Sequence, residues 1–482
     1  MGREILKVGA LVDGFLVGEK LHVGGMASIW RVTRQDVDFP VILKSPFILD
    51  GDDATAIVGF EMEQMILPQL SGPHAPRCLT VGEFSRQPYI VMEYVEGASL
   101  LVEFEKAPLP VERVREIGAK VATALDALHR QQVIHLDIKP SNIIMRKSGE
   151  AALIDFGLSR HEQLPDLLAE EFHLPMGTGP YISPEQVRGD RSDPRSDLFA
   201  LGVLMYHLIT GERPFGFPQS RRGLRRRMWR DPMPPRALRP ETPEWMQEIV
   251  LRCLEVDPAN RYPTAAQLAF DLAHPEDVRI TAHGQRKERD PLLKALGRRW
   301  KMHFGRAAPV AAITERISSA PIVAVCVDLD ADAALVEALR NTVQRILHAM
   351  PDARLACLNI LRLNRIGINY ALDQQGRNIH VNRLIELKEW ARPLAREGAR
   401  ASFHVLEAAD VAGALTDYAQ ANRVDQIVIG ARGSSSVRRF LGSVSSRVVA
   451  EAPCTVTVVR ASMRNDAPAE LHAQLSNVDQ AP

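Results

Sequence analysis

His135-Leu136-Asp137-Ile138-Lys139-Pro140-Ser141-Asn142 is the stretch on which the reading of this 482-residue chain turns. Upstream, Val111 to His129 repeats apolar residues at helical spacing, which predicts an amphipathic helix. Downstream, Ala152 to Ile154 reads as a short strand and runs into Asp155-Phe156-Gly157. The eight residues are therefore a loop between a helix and a strand. They bring a carboxylate, an ammonium and a carboxamide within six positions of one another. Farther out, Tyr89 to Tyr94 reads as another strand and Leu198 to Thr210 as a second, strongly apolar helix.

Apolar and charged fractions of 46% and 24% are those of ordinary globular proteins, and the length predicts two or three domains. A formal net charge of zero gives no global field that favours nucleic acid or membrane. The texture changes along the chain: β-like runs and long helical patterns fill 12–275, and basic residues accumulate over 276–318. Strand and helix patterns alternate over 319–461, and 462–482 has the composition of a disordered tail. No internal repeat is evident. The five cysteines have no metal-ligand spacing and read as reduced thiols of a cytoplasmic protein. The first residues lack a secretory core, and Leu6 and Lys7 stand where a myristoylation signal wants Ser or Thr. No apolar run is long enough for a membrane helix, so a soluble protein is expected.

Five further segments and two single residues flank the loop in a fixed order. Val41-Ile42-Leu43-Lys44 is followed by Phe60-Glu61-Met62-Glu63, with Leu67 and Leu70 at helical spacing behind it. Pro88-Tyr89-Ile90-Val91-Met92-Glu93-Tyr94-Val95 precedes the loop. Asp155-Phe156-Gly157 and Gly177-Thr178-Gly179-Pro180-Tyr181-Ile182-Ser183-Pro184-Glu185 follow it, and then Asp197 and Arg261. Together these resemble the protein kinase family, in its bacterial serine/threonine form, over more than half the chain. The resemblance implies a bilobal α+β kinase fold and transfer of the γ-phosphate of ATP to protein hydroxyl groups. ATP and Mg²⁺ are the implied cofactors, with Mn²⁺ as the alternative ion.

Residue by residue, the resemblance makes Asp137 the carboxylate that receives the substrate hydroxyl and Lys139 the stabiliser of the transferring phosphate. Lys44 meets the nucleotide phosphates, anchored by Glu63. Asn142 and Asp155 hold the metal. Gly24 and Gly25 cover the phosphates, and Ile29, Ile42, Met92, Glu93, Val95 and Ile144 surround the adenine.

The chain departs from the family pattern at three places. His22-Val23-Gly24-Gly25-Met26-Ala27 keeps only the middle glycine of the phosphate loop, and Ile42 replaces a small residue over the adenine. Leu136 replaces the arginine that receives an activation-loop phosphate. From His161 to Met176 there is no serine, threonine or tyrosine, while Glu170 and Glu171 supply fixed charge. The alternative these departures leave open is a pseudokinase scaffold that binds nucleotide without transfer.

Ile322-Val323-Ala324-Val325-Cys326-Val327-Asp328, Ile427 to Gly433, Leu441 to Ser446 and Thr455 to Arg460 resemble the universal stress protein family over about 140 residues. That resemblance implies a Rossmann-like parallel α/β fold, a sensing or dimerisation role and homodimer formation through the last strand. It also implies a nucleotide site at Asp328, Gly430, Gly433, Gly442 and Ser443, the glycine-rich turn presenting backbone N–H groups to phosphate. Gly433 and Gly442 enclose eight residues where ATP-binding members have nine, so a module without nucleotide stays open. The basic stretch and a second cluster at Arg221, Arg222, Arg225, Arg226, Arg227 and Arg230 lack the interleaved aromatics of a single-strand binder. Protein substrates are the expected partners, and nucleic acid is not. The second cluster suits an acidic substrate or partner.

Overall fold

The computed structural model describes residues 6–24, 27–46, 54–83, 88–172, 175–289, 321–351, 353–362, 378–394, 401–431 and 443–460. The chain forms two compact units.

The first unit opens with β1 (Leu11–Val12), β2 (Phe15–Val23), β3 (Ala27–Thr33) and β4 (Val41–Pro46), then α1 (Ala54–Ile66), β5 (Cys78–Gly82) and β6 (Tyr89–Glu93). The strands form one antiparallel sheet in the order β1-β2-β3-β4-β6-β5. Phe15, Val17, Trp30, Val32, Leu43, Tyr89 and Val91 build an apolar cluster on it. Alternation decides what β4 offers: Val41, Leu43 and Ser45 are buried, which turns Ile42 and Lys44 to the opposite face.

A helical lobe follows. It comprises β7 (Gly97–Ser99), α2 (Leu101–Phe104), α3 (Val111–Arg130), β8 (Val133–Ile134), β9 (Ile143–Arg146), β10 (Ala151–Leu153), β11 (Arg160–His161), α4 (Leu167–Glu171), α5 (Pro184–Val187) and α6 (Arg195–Thr210). It continues through α7 (Arg221–Leu224), α8 (Pro235–Leu238), α9 (Glu244–Cys253), α10 (Ala265–Ala273) and α11 (Ala282–Gln285). The periodic residues of α3, among them Val114, Ile117, Val121, Leu125 and Leu128, are buried. At about 1.5–3 kcal/mol for each large side chain, that stripe fixes the helix. α6 is buried almost throughout and stops at Gly211, whose φ of +76° suits a residue without a Cβ. Beyond Pro275 the backbone stays on this lobe. Gln247 donates to the carbonyls of His283, Gly284 and Arg286, and Glu248 accepts from the N–H groups of Thr281 and Gly284.

The second unit contains β12 (Ile322–Cys326), α12 (Ala333–Ala349), β13 (Arg354–Arg362), α13 (Ile379–Ala391), β14 (Ala401–Ala408), α14 (Val411–Ala421), β15 (Gln426–Gly430), α15 (Ser443–Glu451) and β16 (Thr455–Val459). The strands are all parallel, in the order β14-β13-β12-β15-β16. Alternate residues of β12 serve opposite faces. Val323 and Val325 pack with Leu335, Leu339, Leu387 and Trp390, whereas Ala324 packs with Leu415, Tyr418 and Val448. Both faces are covered, as the Rossmann-like expectation required.

All five cysteines are free, with Cys253 and Cys357 buried. Burial pushes the Cys78 thiol up to about 11 and that of Cys326 up to about 12, so neither is a reactive thiolate at neutral pH. The expected tail at 462–482 and most of the expected basic linker lie outside the described residues.

Candidate active site

Lys44 Nζ lies 2.6 Å from Glu63 Oε2 on α1 and 3.0 Å from Asp155 Oδ1. Glu63 is buried, whereas the Asp155 side chain is 45% exposed and so remains open to a ligand. Burial works against the Lys44 charge, but the two carboxylates outweigh it and hold the ammonium above its ordinary range. Lys44 in turn depresses Asp155 to about 2, assisted by Lys139 and His135. Burial pushes the Glu63 carboxyl upward against the pull of Lys44, with Asp155 adding to the rise. Asp155 adopts a left-handed φ of +68°, an uncommon conformation for a residue with a Cβ.

Asp137 sits between four donors. Its Oδ1 accepts from the Thr178 N–H at 3.0 Å and the Thr178 hydroxyl at 2.7 Å. Its Oδ2 accepts from Lys139 at 2.6 Å and from Asn142 Nδ2 at 3.2 Å. The loop that carries it is held from α6: Asp197 accepts from the N–H groups of His135 and Leu136 at 2.9 and 2.8 Å. These bonds stabilise Leu136 at a φ of +62°, and Gln186 Nε2 donates to the Leu136 carbonyl at 2.9 Å. His135 Nε2 meets the Ile154 carbonyl at 3.1 Å, joining the loop to the strand that leads to Asp155.

The segment from Asp155 to Glu185 is fixed by charge pairs; sequence reading anticipated the one between Arg261 and Glu185 but not the one between Asp166 and Arg191. Asp166 caps α4 and accepts from Arg191 at 2.9 Å, both side chains being largely buried, with Arg160 at 4.0 Å. Glu170, one of the two expected fixed charges of the segment, is buried. At the end of the segment Arg261 donates to both oxygens of Glu185 at 2.6 and 2.7 Å, fully buried. Arg227 is 1% exposed and donates to the carbonyls of Gly179, Pro180, Ile182 and Leu224. Sequence reading placed it with its neighbours in a cluster suited to an acidic substrate or partner, because periodicity is weak over the short α7 and the Arg225–Met228 turn that follows.

Around the cleft, Ile29 stands opposite Lys44 in the β3–β4 ladder and Ile42 stands opposite Met92 in the β4–β6 ladder. Met92 is buried, while Ile29, Ile42, Val95 and Ile144 are partly open. Glu93 donates its N–H to the Arg77 carbonyl, and Arg146 on β9 clasps its carboxylate through both terminal nitrogens. That clasp ties the sheet to the helical lobe and was not expected from sequence. Gly24 donates to the Ala27 carbonyl at 3.0 Å. The exposed His22 ring would lie 3.7 Å from a Cβ placed on Gly24. Gly25 lies outside the described residues.

In the second unit the order of connection reverses beside β12, and Asp328 and Gly430 sit past or at the carboxyl ends of β12 and β15. Crevices at such reversals are where open α/β sheets take ligands. Asp328 Oδ1 accepts from the Asp330 N–H, and Ser445 donates to the Gly430 carbonyl. Ser443 opens α15 and is exposed, whereas Gly433 and Gly442 lie outside the described residues.

A family model described as protein kinase domain matches residues 15–271, just over half of the chain. The chain belongs to the protein kinase family. A second model, the universal stress protein family, matches residues 321–460. The kinase part is 32% identical over 253 residues to a probable serine/threonine-protein kinase of Clostridium perfringens, covering 52% of this chain and 36% of that protein. It is 32% identical over 271 residues to serine/threonine-protein kinase PknL of Mycobacterium tuberculosis, covering 56% and 67%. The PknI kinase domain of Mycobacterium tuberculosis aligns structurally at 25% identity and a TM-score of 0.43, covering 56% of this chain and 99% of that one. The chain thus spans about a third of the Clostridium relative's length and two thirds of PknL's. No described helix is long and apolar enough to cross a membrane.

Proposed function

We propose that the kinase unit transfers the γ-phosphate of ATP to serine or threonine hydroxyl groups of proteins. The observation that carries this reading is the position of Lys44, bonded at once to Glu63 and Asp155. A cation so placed is ready to meet phosphate oxygens, and Glu63 keeps it from collapsing onto Asp155 alone. Asp137, aimed by Thr178, Asn142 and Lys139, would accept the hydrogen bond of the attacking hydroxyl.

Asp155 and the side-chain oxygen of Asn142 are hard oxygen donors of the kind Mg²⁺ takes, and Asp155 is ionised at any physiological pH. Bound there, the ion would neutralise charge on the transferring phosphate. Ile29, Ile42, Met92, Val95 and Ile144, with the backbone at Glu93, would enclose the adenine, and Gly24 would lie over the phosphates. In the second unit we place a sensing or dimerisation role. The reversal point beside β12 supports a ligand crevice there, and β16, an edge strand among the described strands, supports pairing with a second copy.

Phosphate transfer from labelled ATP to a generic basic protein tests the reading, beside an Asp137→Asn control. The control is expected to lose about 100- to 10,000-fold in rate. Equal, background-level labelling by both proteins would favour the scaffold reading, in which nucleotide is bound and nothing is transferred.

A further inference from the structure

Between Glu212 and Asp231 the chain carries seven arginines and no carboxylate. Arg221, Arg222, Arg225 and Arg226 are exposed, and none forms an ion pair with a described residue. An unneutralised cluster of this kind repels itself, and most such clusters are simply solvated. Here a second observation ties the cluster to the acceptor side of the site. Arg227 projects inward from the same turn and donates to the carbonyls of Gly179 at 2.7 Å, Pro180 at 3.4 Å and Ile182. Its described partners are all neutral: carbonyls, and the Phe215 ring 5.4 Å from the guanidinium carbon. No carboxylate cancels its charge.

Gly179 follows Thr178, which is bonded to Asp137 through both its N–H and its hydroxyl. Five consecutive residues, Thr178 to Ile182, therefore lead from the catalytic carboxylate to the arginine turn. On the other side of Gly179 the Pro218 carbonyl approaches so closely that a Cβ would lie 3.2 Å from it, which holds the stretch before α7 against the same segment. A polypeptide whose hydroxyl reaches Asp137 approaches Thr178, the first residue of this segment, and Arg221, Arg222, Arg225 and Arg226 belong to the turn that Arg227 fastens to the same segment.

We propose that these four arginines are a docking surface for acidic residues flanking the phosphorylated hydroxyl of the protein substrate, with Arg227 as the positioning residue that sets the surface beside the acceptor site. The substrate class is thus an acidic segment, in deepening of the kinase reading above. Carboxylates are favoured over nucleic acid because the surface adjoins the hydroxyl-accepting side of the site and lacks a ladder of aromatic platforms.

The test uses the full chain and three serine peptides of equal length: neutral, acidic before the serine, and acidic after it. Wild type is expected to phosphorylate one of the acidic peptides with kcat/KM about tenfold above the neutral one, from a few exposed charge pairs acting together. Arg221→Gln, Arg222→Gln, Arg225→Gln and Arg226→Gln combined should abolish that preference, leaving the neutral peptide and the KM for ATP unchanged. Equal rates on all three peptides, or a preference that survives the four substitutions, would overturn the proposal.

Fluorescence anisotropy of the labelled acidic peptides reads docking without transfer, so it separates this surface from the kinase reading. Salt-sensitive binding lost in the fourfold variant supports the surface even where no phosphate moves. Absent or undiminished binding refutes it, and so does tighter binding of a single-stranded oligonucleotide of equal charge.

Discussion

Lys44 and Glu63 form an ion pair at 2.6 Å in which the acid is almost wholly buried, and a second acid, Asp155, shares the same ammonium. Lys44→Met strands a buried carboxylate, and a loss of about 3 kcal/mol at neutral pH is expected. The loss depends on pH. Asp155 titrates near 2 rather than 3.8 because of Lys44, so its contribution is present above pH 4 and fades as pH falls toward 2. In the variant Glu63, held upward by burial and no longer pulled down by Lys44, is protonated at higher pH than Asp155, which relieves the stranded charge as acid is added. Urea unfolding at pH 7, 5 and 3.5 should show the gap between wild type and variant narrowing with acid. A gap that holds constant or widens would mean that Lys44 does not set these titrations.

Asp166 and Arg191 make the second prediction. Their pair does for the segment after Asp155 what a phosphate and its arginine would otherwise do, and no phosphatase can remove it. Phosphatase treatment of the purified chain should leave transfer activity unchanged. Arg191→Ala should cost up to about 3 kcal/mol in urea unfolding and slow transfer, because Asp166 then keeps only the longer contact with Arg160. Silencing by phosphatase would show that a modified hydroxyl elsewhere does the ordering.

Asp197 holds the catalytic loop by accepting from two consecutive N–H groups, His135 and Leu136. Two bonds to a buried carboxylate are each worth about 1.5–3 kcal/mol, so Asp197→Ala should lower stability by about 3 kcal/mol or more. Relaxing Leu136 from its left-handed conformation would also displace Asp137. The rate should therefore fall in the folded fraction, with the KM for ATP little changed. A variant with normal turnover per folded molecule would mean that Gln186 alone holds the loop.

In the proposed nucleotide site Ile42, partly open beside Met92, would narrow the adenine side, and the His22 ring stands 3.7 Å from where a Cβ on Gly24 would be. Ile42→Ala with His22→Gly should tighten ATP by about tenfold, a gain of roughly 1.4 kcal/mol. Isothermal titration calorimetry measures it. An unchanged dissociation constant would show that the cleft already accommodates both side chains.

What the sequence made legible is what must be chemically particular. Lys44, Asp137, Asn142 and Asp155 are short-range motif residues on the strands and loops whose apolar patterns announce them. The doubly covered sheet of the second unit was equally readable, because buried parallel strands such as Ile322–Cys326 are continuous apolar runs. Arg227 was not, since an arginine on a turn too short to show a period looks the same buried or solvated. Neither were Asp166–Arg191 and Glu93–Arg146, pairs separated by 25 and 53 residues, for which one sequence carries no local signal. The burial of Glu170 was hidden for a related reason: two adjacent glutamates on a five-residue helix give no clue to which one faces inward.

The way Gln247 and Glu248 hold 281–286 has a consequence for how the sequence there can vary. Nearly all their bonds go to peptide groups, with the Thr281 hydroxyl as the exception. Such a latch reads the path of the chain and ignores its spelling. His283 and Arg286 add side-chain pairs with Glu255 and Asp231, and the exposed Gln285 is free to drift in identity. Gly284 is not, because a Cβ there would come within 2.8 Å of Ile280 and 3.0 Å of the Glu244 carbonyl. The kinase lobe therefore keeps a fixed path for its chain through 281–286.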